Sequence, residues 1–366
     1  MRHQRLFGWA FSFLIFATGA ARASEVAAIL KNEFIYDKAP YPECHASTIE
    51  ETPAGLVAAW FGGTEEKHPD VGIWFSRHID GHWAEAIEVA NGIQYALPDG
   101  SVHRHPTWNP VLFQYPNGPL VLFWKCGPAP DTWWGVMSES RDNGVTWSTA
   151  RRLPEHIDGP VRNKPIFLNN GTLLCGSSTE FDGWRIHFEQ TTDQGLTWQR
   201  TPVINDGKTI GAIQPTLLRH SDGTIQALCR NRDGDGKILS TTSQDLGLSW
   251  SELIPISLPN PNSGIDAVTL KDGRHLLVYN HTSRSQGTPR GREMINVAIS
   301  TDGLDWKPAL RLDREAKVEF SYPAVIQAAD GKVHITYTWK RQKVRHTVLD
   351  INKLTLGDWN DGAWPE

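Results

Sequence analysis

The stretch SRDNGVTW, residues 140–147, returns as TTDQGLTW at 191–198, as SQDLGLSW at 243–250 and, one residue shorter, as STDGLDW at 300–306. A looser copy, SRHIDGHW, occupies 76–83, so Trp83, Trp147, Trp198, Trp250 and Trp306 recur at intervals of 51 to 64 residues. Self-similarity of this kind is the signature of a repeat architecture in which each copy is one supersecondary unit. The chemistry of the motif is local. Its Asp accepts hydrogen bonds from the backbone of its own turn, its Gly takes a positive φ, and its Trp packs beneath. The motif lacks the alternating oxygen ligands and closing Glu of a calcium loop. These turns mark the fold, and nothing in the sequence calls for a metal or another cofactor.

A second motif alternates with the first: a strand, a D-G or G turn, and a second strand. Copies begin near Cys44, Trp108, Asn163, Ile213, Gly264 and Ser321. WNPVLFQYPNGPLVLFWK (108–125), IQPTLLRHSDGTIQALCR (213–230) and SYPAVIQAADGKVHITYTW (321–339) show the short apolar runs of half-buried or buried strands. Six hairpins with intervening strands predict an all-β fold, a six-bladed β-propeller whose radial closure protects the sheet edges. The composition agrees. Sixteen Trp with 32 Gly and 23 Pro favour many short strands and turns over helices.

The first residues read as a leader. Arg2 and Arg5 precede an apolar run from Leu6 to Ala17, and Ala21-Arg22-Ala23 offers an A-x-A cleavage site. That run is shorter than the roughly 20 residues a membrane span needs. The expectation is a signal peptide at 1–23, a single propeller domain at 24–366, and a secreted or periplasmic product with no membrane span in the mature chain. A net charge of -5 gives no reason to expect a nucleic acid partner. Oligomeric state leaves no mark in the sequence. Cys44, Cys126, Cys175 and Cys229 contain no C-x-x-C pair, and three of them end similar strands, which suggests free core thiols.

The repeat also points to a site. One residue per hairpin sits before the Pro or Ala that opens its first strand: His45, Asn109, Lys164, Gln214, Asp266 and Tyr322. A structural slot repeats one residue type, whereas this one holds six polar types, as a ring of functional groups around a funnel would. The ends of the second strands add Lys125, Glu180, Arg230, Arg232, His281 and Lys340 to the same rim. Trp60, Trp108, Trp124 and Trp339 are left over from the turn motif and are available to line the funnel.

At this level of detail the chain resembles the sialidase family. The turn motifs match that family's Asp boxes, and the segment Gln214–Arg230 is similar to the one ending in a carboxylate-binding arginine. The resemblance makes Arg230 and Arg292 two members of an arginine triad, and the Tyr322-Pro-Ala-Val segment that of the tyrosine nucleophile. Two positions depart from the pattern. His45 stands where the family's first arginine is expected, and Gln214 stands where a glutamate activates the tyrosine.

The residues permit a mechanism on an acidic glycan. Arg230 and Arg292 supply fork-shaped donors to a carboxylate, and His45 or Lys164 adds a third contact. The anomeric carbon of sialic acid bears a carboxylate, so a tyrosine nucleophile avoids the repulsion a carboxylate nucleophile would meet. Tyrosine, with an ordinary pKa of about 10, needs a base. Asp266 is the candidate, with Glu180 in reserve, and Asp70 in the loop 64–70 is the candidate acid. Asn109, Gln214, Lys125 and Arg232 complete the expected substrate contacts. Two alternatives remain at this stage. His45, with His103 and His105, would serve a lyase or atypical glycosidase acting on uronates. A sugar-binding propeller without chemistry would show the same loss of the usual Glu and Arg.

Overall fold

The structure, a computed structural model, describes residues 27–365. The leader expected at 1–23 lies outside the described residues. Six antiparallel sheets of at least four strands follow one another around an axis. Their innermost strands are Glu43–Thr52, Thr107–Gln114, Ile166–Phe167, Ala212–Arg219, Asp266–Thr269 and Phe320–Gln327. They open the first to the sixth blade. The ring closes because the N-terminal strand Ile29–Phe34 is the outer strand of the sixth blade, pairing Ile29 with Leu349 and Phe34 with Arg345. This closure leaves no blade as an open sheet end.

The apolar core is distributed over the blade interfaces. Phe75 of the first blade clusters with Leu112 and Trp124 of the second. Val121 and Phe123 meet Leu173 and Cys175 of the third blade, and Leu174 and Phe188 meet Ala227 of the fourth. Leu228 then meets Leu277 of the fifth, Leu276 and Val297 meet Val325 of the sixth, and Val344 returns to Trp60 of the first. The four cysteines are buried within this core and form no disulfide.

In the second to fifth blades the repeated turn fastens the blade to the one before it, with Gly144, Gly195, Gly247 and Gly303 set against Phe75, Met137, Leu174 and Gln226. In the second blade Asp142 Oδ1 accepts from Thr146 N at 2.8 Å, and Ser140 Oγ accepts from Gly144 N at 2.7 Å. Gly144 has φ 84°, and a Cβ there would come within 2.3 Å of Phe75 in the first blade. Gly is therefore required by both backbone and space. Trp250 of the fourth blade stacks on Phe188 of the third at 3.6 Å, and its Nε1 donates to Gly247 O at 3.0 Å. Among the described residues, no helix is long and apolar enough to cross a membrane.

Candidate active site

Backbone geometry defines the funnel ring. The inner strands of the second, fourth and sixth blades each break register once, around Asn109, Gln214 and Tyr322. These residues have φ of 43°, 57° and 51°, and each precedes a proline. Non-glycine residues in this conformation are strained and persist where the surroundings over-determine them, often at functional sites. The first blade makes its break at Ala46 (φ 54°), and the third blade has Arg162 at φ 76°. The register of the fifth blade, counted from its hairpin turn, brings Gly264 to the same level. The ring is Ala46, Asn109, Arg162, Gln214, Gly264 and Tyr322.

Three expected ring members are thereby displaced. His45 sits one residue before the slot, while Lys164 and Asp266 sit two residues beyond it. The hairpin turn sets the register, so Pro165 after Lys164 does not mark the break. Gly264 leaves the space that its neighbours fill. A Cβ there would lie 3.3 Å from the Tyr322 ring and 3.5 Å from Arg162 Nε.

Tyr322 is the centre of the funnel floor. Its phenolic oxygen accepts from Arg230 Nη1 at 2.6 Å. The guanidinium carbons of Arg162 and Arg292 each lie 5.2 Å from its ring centroid, and that of Arg230 lies at 5.7 Å. The His45 ring packs against it at 4.0 Å. Burial alone would raise the phenol's pKa, but Arg230 and Arg292, with a hydrogen bond from Gln214, hold it below the ordinary value. Arg230 also donates from Nε to Asn262 Oδ1 at 2.8 Å and from Nη1 to Gln214 Oε1 at 3.4 Å.

A second layer of charge surrounds this centre. Glu319 Oε1 pairs with Arg292 Nη1 at 2.7 Å, and its Oε2 pairs with Arg341 Nε at 3.1 Å. Arg341 Nη1 reaches Glu66 Oε2 at 2.6 Å. Burial opposes the ionised form of Glu319, yet Arg292, His45 and Arg341 hold its carboxyl well below the carboxylate range. His45 Nδ1 shares a hydrogen bond with Thr338 Oγ1 at 2.9 Å. Burial, then the charge of Arg341, puts the His45 pKa well below the usual imidazole value. Arg162, Arg341, Glu319 and Glu66 were missed by the sequence reading. The available signal was proximity: Glu319 lies three residues before Tyr322, and Arg341 directly follows the chosen Lys340.

The BNR repeat-like domain family matches residues 54–335. The chain belongs to that family. A sialidase of Bacteroides fragilis is 23% identical over 325 residues, covering 79% of this chain and 57% of that relative. The chain thus spans a little over half the length of that curated relative. An intramolecular trans-sialidase from Ruminococcus gnavus superposes with a TM-score of 0.71 at 14% identity, covering 91% of this chain and 99% of the other. A protein of unknown function from Dyadobacter fermentans gives 0.69 at 17% identity, covering 88% and 98%. The architecture is that of a sialidase-like BNR propeller.

The remaining predicted residues of this BNR repeat-like chain divide between site and scaffold. Arg230, Arg292, Gln214 and Tyr322 converge, and Asn109 holds its slot. Glu180 borders them, its carboxyl raised by burial against the pull of Arg230. Asp266 is buried and accepts from Lys164 Nζ at 2.8 Å, Thr216 Oγ1 at 2.7 Å and Val325 N at 2.8 Å. Asp266 and Lys164 therefore face each other beneath the ring, a correction to their expected roles as base and substrate contact.

Lys125 is wholly buried and donates to Pro160 O at 2.9 Å, with its pKa pushed down to about 8 by burial. It does not reach the rim. Arg232 is also a correction: its side chain is exposed and turns away to donate from Nη2 to Lys208 O at 3.0 Å. His281 is buried against Tyr279 and Trp359, and Lys340 pairs with Glu315. Trp60, Trp108 and Trp124 are buried in the blades, not in the funnel. Asp70 ties its own loop, accepting from Thr64 N at 3.0 Å and Thr64 Oγ1 at 2.6 Å and facing His68 at 2.7 Å. Partial burial raises its pKa, but these partners outweigh it and hold the carboxyl below its usual value, the reverse of what a proton donor needs.

Proposed function

We propose that the protein is an exo-glycosidase that hydrolyses a terminal acidic sugar of the sialic acid class, with Tyr322 as nucleophile. The observation that carries this reading is the 2.6 Å contact from Arg230 to the Tyr322 oxygen at the centre of an arginine cluster. The relationship to the Bacteroides fragilis sialidase supports the same class of substrate.

In this reading Arg230, Arg292 and Arg341 receive the sugar carboxylate. Arg341 supplies from the sixth blade the cation that is absent at His45, and the shared partner Glu319 pre-orients both Arg292 and Arg341. Gln214 cannot take a proton. The positive field around Tyr322 eases that task by holding the phenol's pKa below its ordinary value. The phenolate oxygen attacks the anomeric carbon, and the glycosidic C–O bond breaks. Glu180, whose raised pKa suits a donor, passes its proton to the leaving oxygen. The resulting Glu180 carboxylate then takes a proton from the water that attacks the anomeric carbon, and the tyrosine oxygen departs. A neutral, buried His45 is a poor base at neutral pH, which counts against elimination.

Mass spectrometry of products from α-linked sialyl-lactose tests the reading. Free acidic sugar bearing one added water is expected, with turnover lost in Tyr322→Phe and strongly reduced in Glu180→Gln. An unsaturated product, or a Tyr322→Phe protein as active as the wild type, overturns it.

A further inference from the structure

Arg284 brings a further guanidinium to the side of Arg230 and Arg292. The three arginines, with Asn262 and Glu319, line one pocket of about 310 Å³ between the fourth and fifth blades. Two of them are engaged already. Arg230 holds the Tyr322 oxygen, and Arg292 pairs with Glu319, which is shared in turn with Arg341. Arg284 is exposed, and among the described residues its guanidinium has no ion pair and no hydrogen-bond acceptor.

The backbone around Arg284 is braced from two sides. Its loop joins the fifth-blade strands His275–Tyr279 and Met294–Ser300. The base of the loop is closed by Gly291 N, which donates to Ser283 O at 2.7 Å, and by Thr282 Oγ1, which donates to Gly291 O at 2.5 Å. A loop of the fourth blade grips the rest. Arg284 N donates to Gly234 O at 2.8 Å. Asp235 Oδ1 accepts from Ser285 N at 3.0 Å and from the Ser283 hydroxyl, and its Oδ2 accepts from the Ser285 hydroxyl. The acid of this brace therefore serves the two neighbours of Arg284 and leaves the guanidinium unpaired. The arginine stem crosses the fourth-blade loop where that loop has no side chain: a Cβ at Gly234 would lie 2.7 Å from Arg284 Cβ and 2.6 Å from its Cδ. Glycine permits that close approach.

Charge and direction together set what Arg284 meets. An unpaired guanidinium in a concave site attracts an anion, and its planar fork matches the oxygens of an acidic group. In the reading above, Arg230, Arg292 and Arg341 take the sugar carboxylate, so Arg284 is surplus to a sugar with one acidic group. The leaving side of the substrate is marked by Glu180 at the end of a third-blade strand. Arg230 stands on the fourth blade and Arg284 on the fifth, which puts Arg284 beyond the carboxylate clamp and away from the leaving group. We infer that Arg284 recognises a second anionic group on the terminal acidic sugar itself, a sulfate or phosphate ester, and thereby selects doubly acidic sugars. The inference rests on the glycosidase reading for the placement of the sugar.

The test compares fluorogenic α-glycosides of sialic acid, unsubstituted or carrying one sulfate or one phosphate ester at a single hydroxyl, on the full chain with thermal melts to verify folding. At low ionic strength the wild type is expected to cleave at least one ester with a kcat/KM about 10-fold above that of the unsubstituted sugar. Arg284→Gln is expected to bring that ratio down to about 1. Arg290→Gln removes an exposed cation of the same loop that does not line the pocket, and is expected to keep the ratio. A preference for sulfate or for phosphate supports the inference and names the ester. No preference for any ester in the wild type overturns it. So does a ratio that survives Arg284→Gln or is lost in Arg290→Gln, since the loop's general field would then be the cause. If the wild type cleaves no substrate, the glycosidase reading fails and calorimetric titration with the free esterified sugars still decides Arg284. Binding tighter than that of the unsubstituted sugar, and lost in Arg284→Gln, supports its role; equal affinities overturn it.

Discussion

Replacing Asp266 by Asn separates a buried post from a catalytic base. The carboxylate receives Lys164 Nζ at 2.8 Å, Thr216 Oγ1 at 2.7 Å and Val325 N at 2.8 Å. These contacts join the third, fourth, fifth and sixth blades at one point beneath the ring. Removing one partner of a buried ion pair costs about 3–5 kcal/mol, because the other charge is left uncompensated. Two features place Asp266→Asn at the low end. The Lys164 side chain is 16% exposed and keeps a hydrogen bond to Ala267 O at 2.9 Å, and Asn preserves shape and one acceptor. A loss of about 3 kcal/mol follows, and at roughly 2 °C per kcal/mol for a large domain the melting temperature falls by about 6 °C. Lys164→Met strands the more deeply buried carboxylate and is expected to cost more, while Lys164→Met combined with Asp266→Asn recovers part of the sum. Calorimetric melts paired with kcat/KM measured well below the transition decide the matter. An Asp266→Asn protein with wild-type stability and no turnover would refute the reasoning and return Asp266 to the role of base.

Three further outcomes follow from the same coordinates. His275, His281 and His334 are each pushed down to about 4, primarily by burial. The unfolded chain, with ordinary values near 6.5, therefore takes up protons first as pH falls, so stability is full above about 6.5 and is lost toward 4; a melting temperature flat from pH 7 to 4 would contradict this. The thiols of Cys44 and Cys126 are raised by burial to about 12 and about 11, so none of the four cysteines should react with a disulfide reagent until denaturant is added. Fast labelling of the native protein would count against the packing described. Gly264→Ala pushes a methyl against the Tyr322 ring and is expected to reduce kcat/KM by about 10-fold, equivalent to about 1.4 kcal/mol, with a small change in melting temperature. Unchanged activity would argue that the floor does not need that space.

The fold was legible because its signals are local and repeated. Asp142, Gly144 and Trp147 can be read from spacing alone, because the hydrogen bonds close within one turn and Trp147 meets Phe75 of the preceding blade in a motif that recurs between blades. The funnel was legible where a residue's strain coincided with a visible neighbour: Asn109, Gln214 and Tyr322 each precede proline at the register break. It was obscured where that coincidence fails. Pro165 marks no break, so Lys164 displaced Arg162, and the fifth blade fills its slot with Gly264, which carries no chemistry to notice. The destination of a long side chain was less legible still. Lys125 and Arg230 occupy matching positions, each paired with the residue before its blade's break. One turns into the carbonyl of Pro160 and the other into the funnel, according to what the adjacent blade offers.

Arg230 links recognition to reactivity in a way that neither residue type nor position announces. Among the described residues its side-chain hydrogen-bond partners, Tyr322, Gln214 and Asn262, include no carboxylate. Arg292 and Arg341, in contrast, already share Glu319. A buried guanidinium without a full counter-charge is costly, and here the cost is partly offset by stabilising negative charge on the Tyr322 oxygen. An incoming carboxylate that engages Arg230 supplies the missing counter-charge and weakens the arginine's hold on the Tyr322 oxygen. In the proposed reaction, then, the same arginine that recognises the substrate also holds the pKa of the nucleophile below its ordinary value. That coupling eases ionisation of a tyrosine nucleophile where position 214 holds a glutamine that cannot accept a proton.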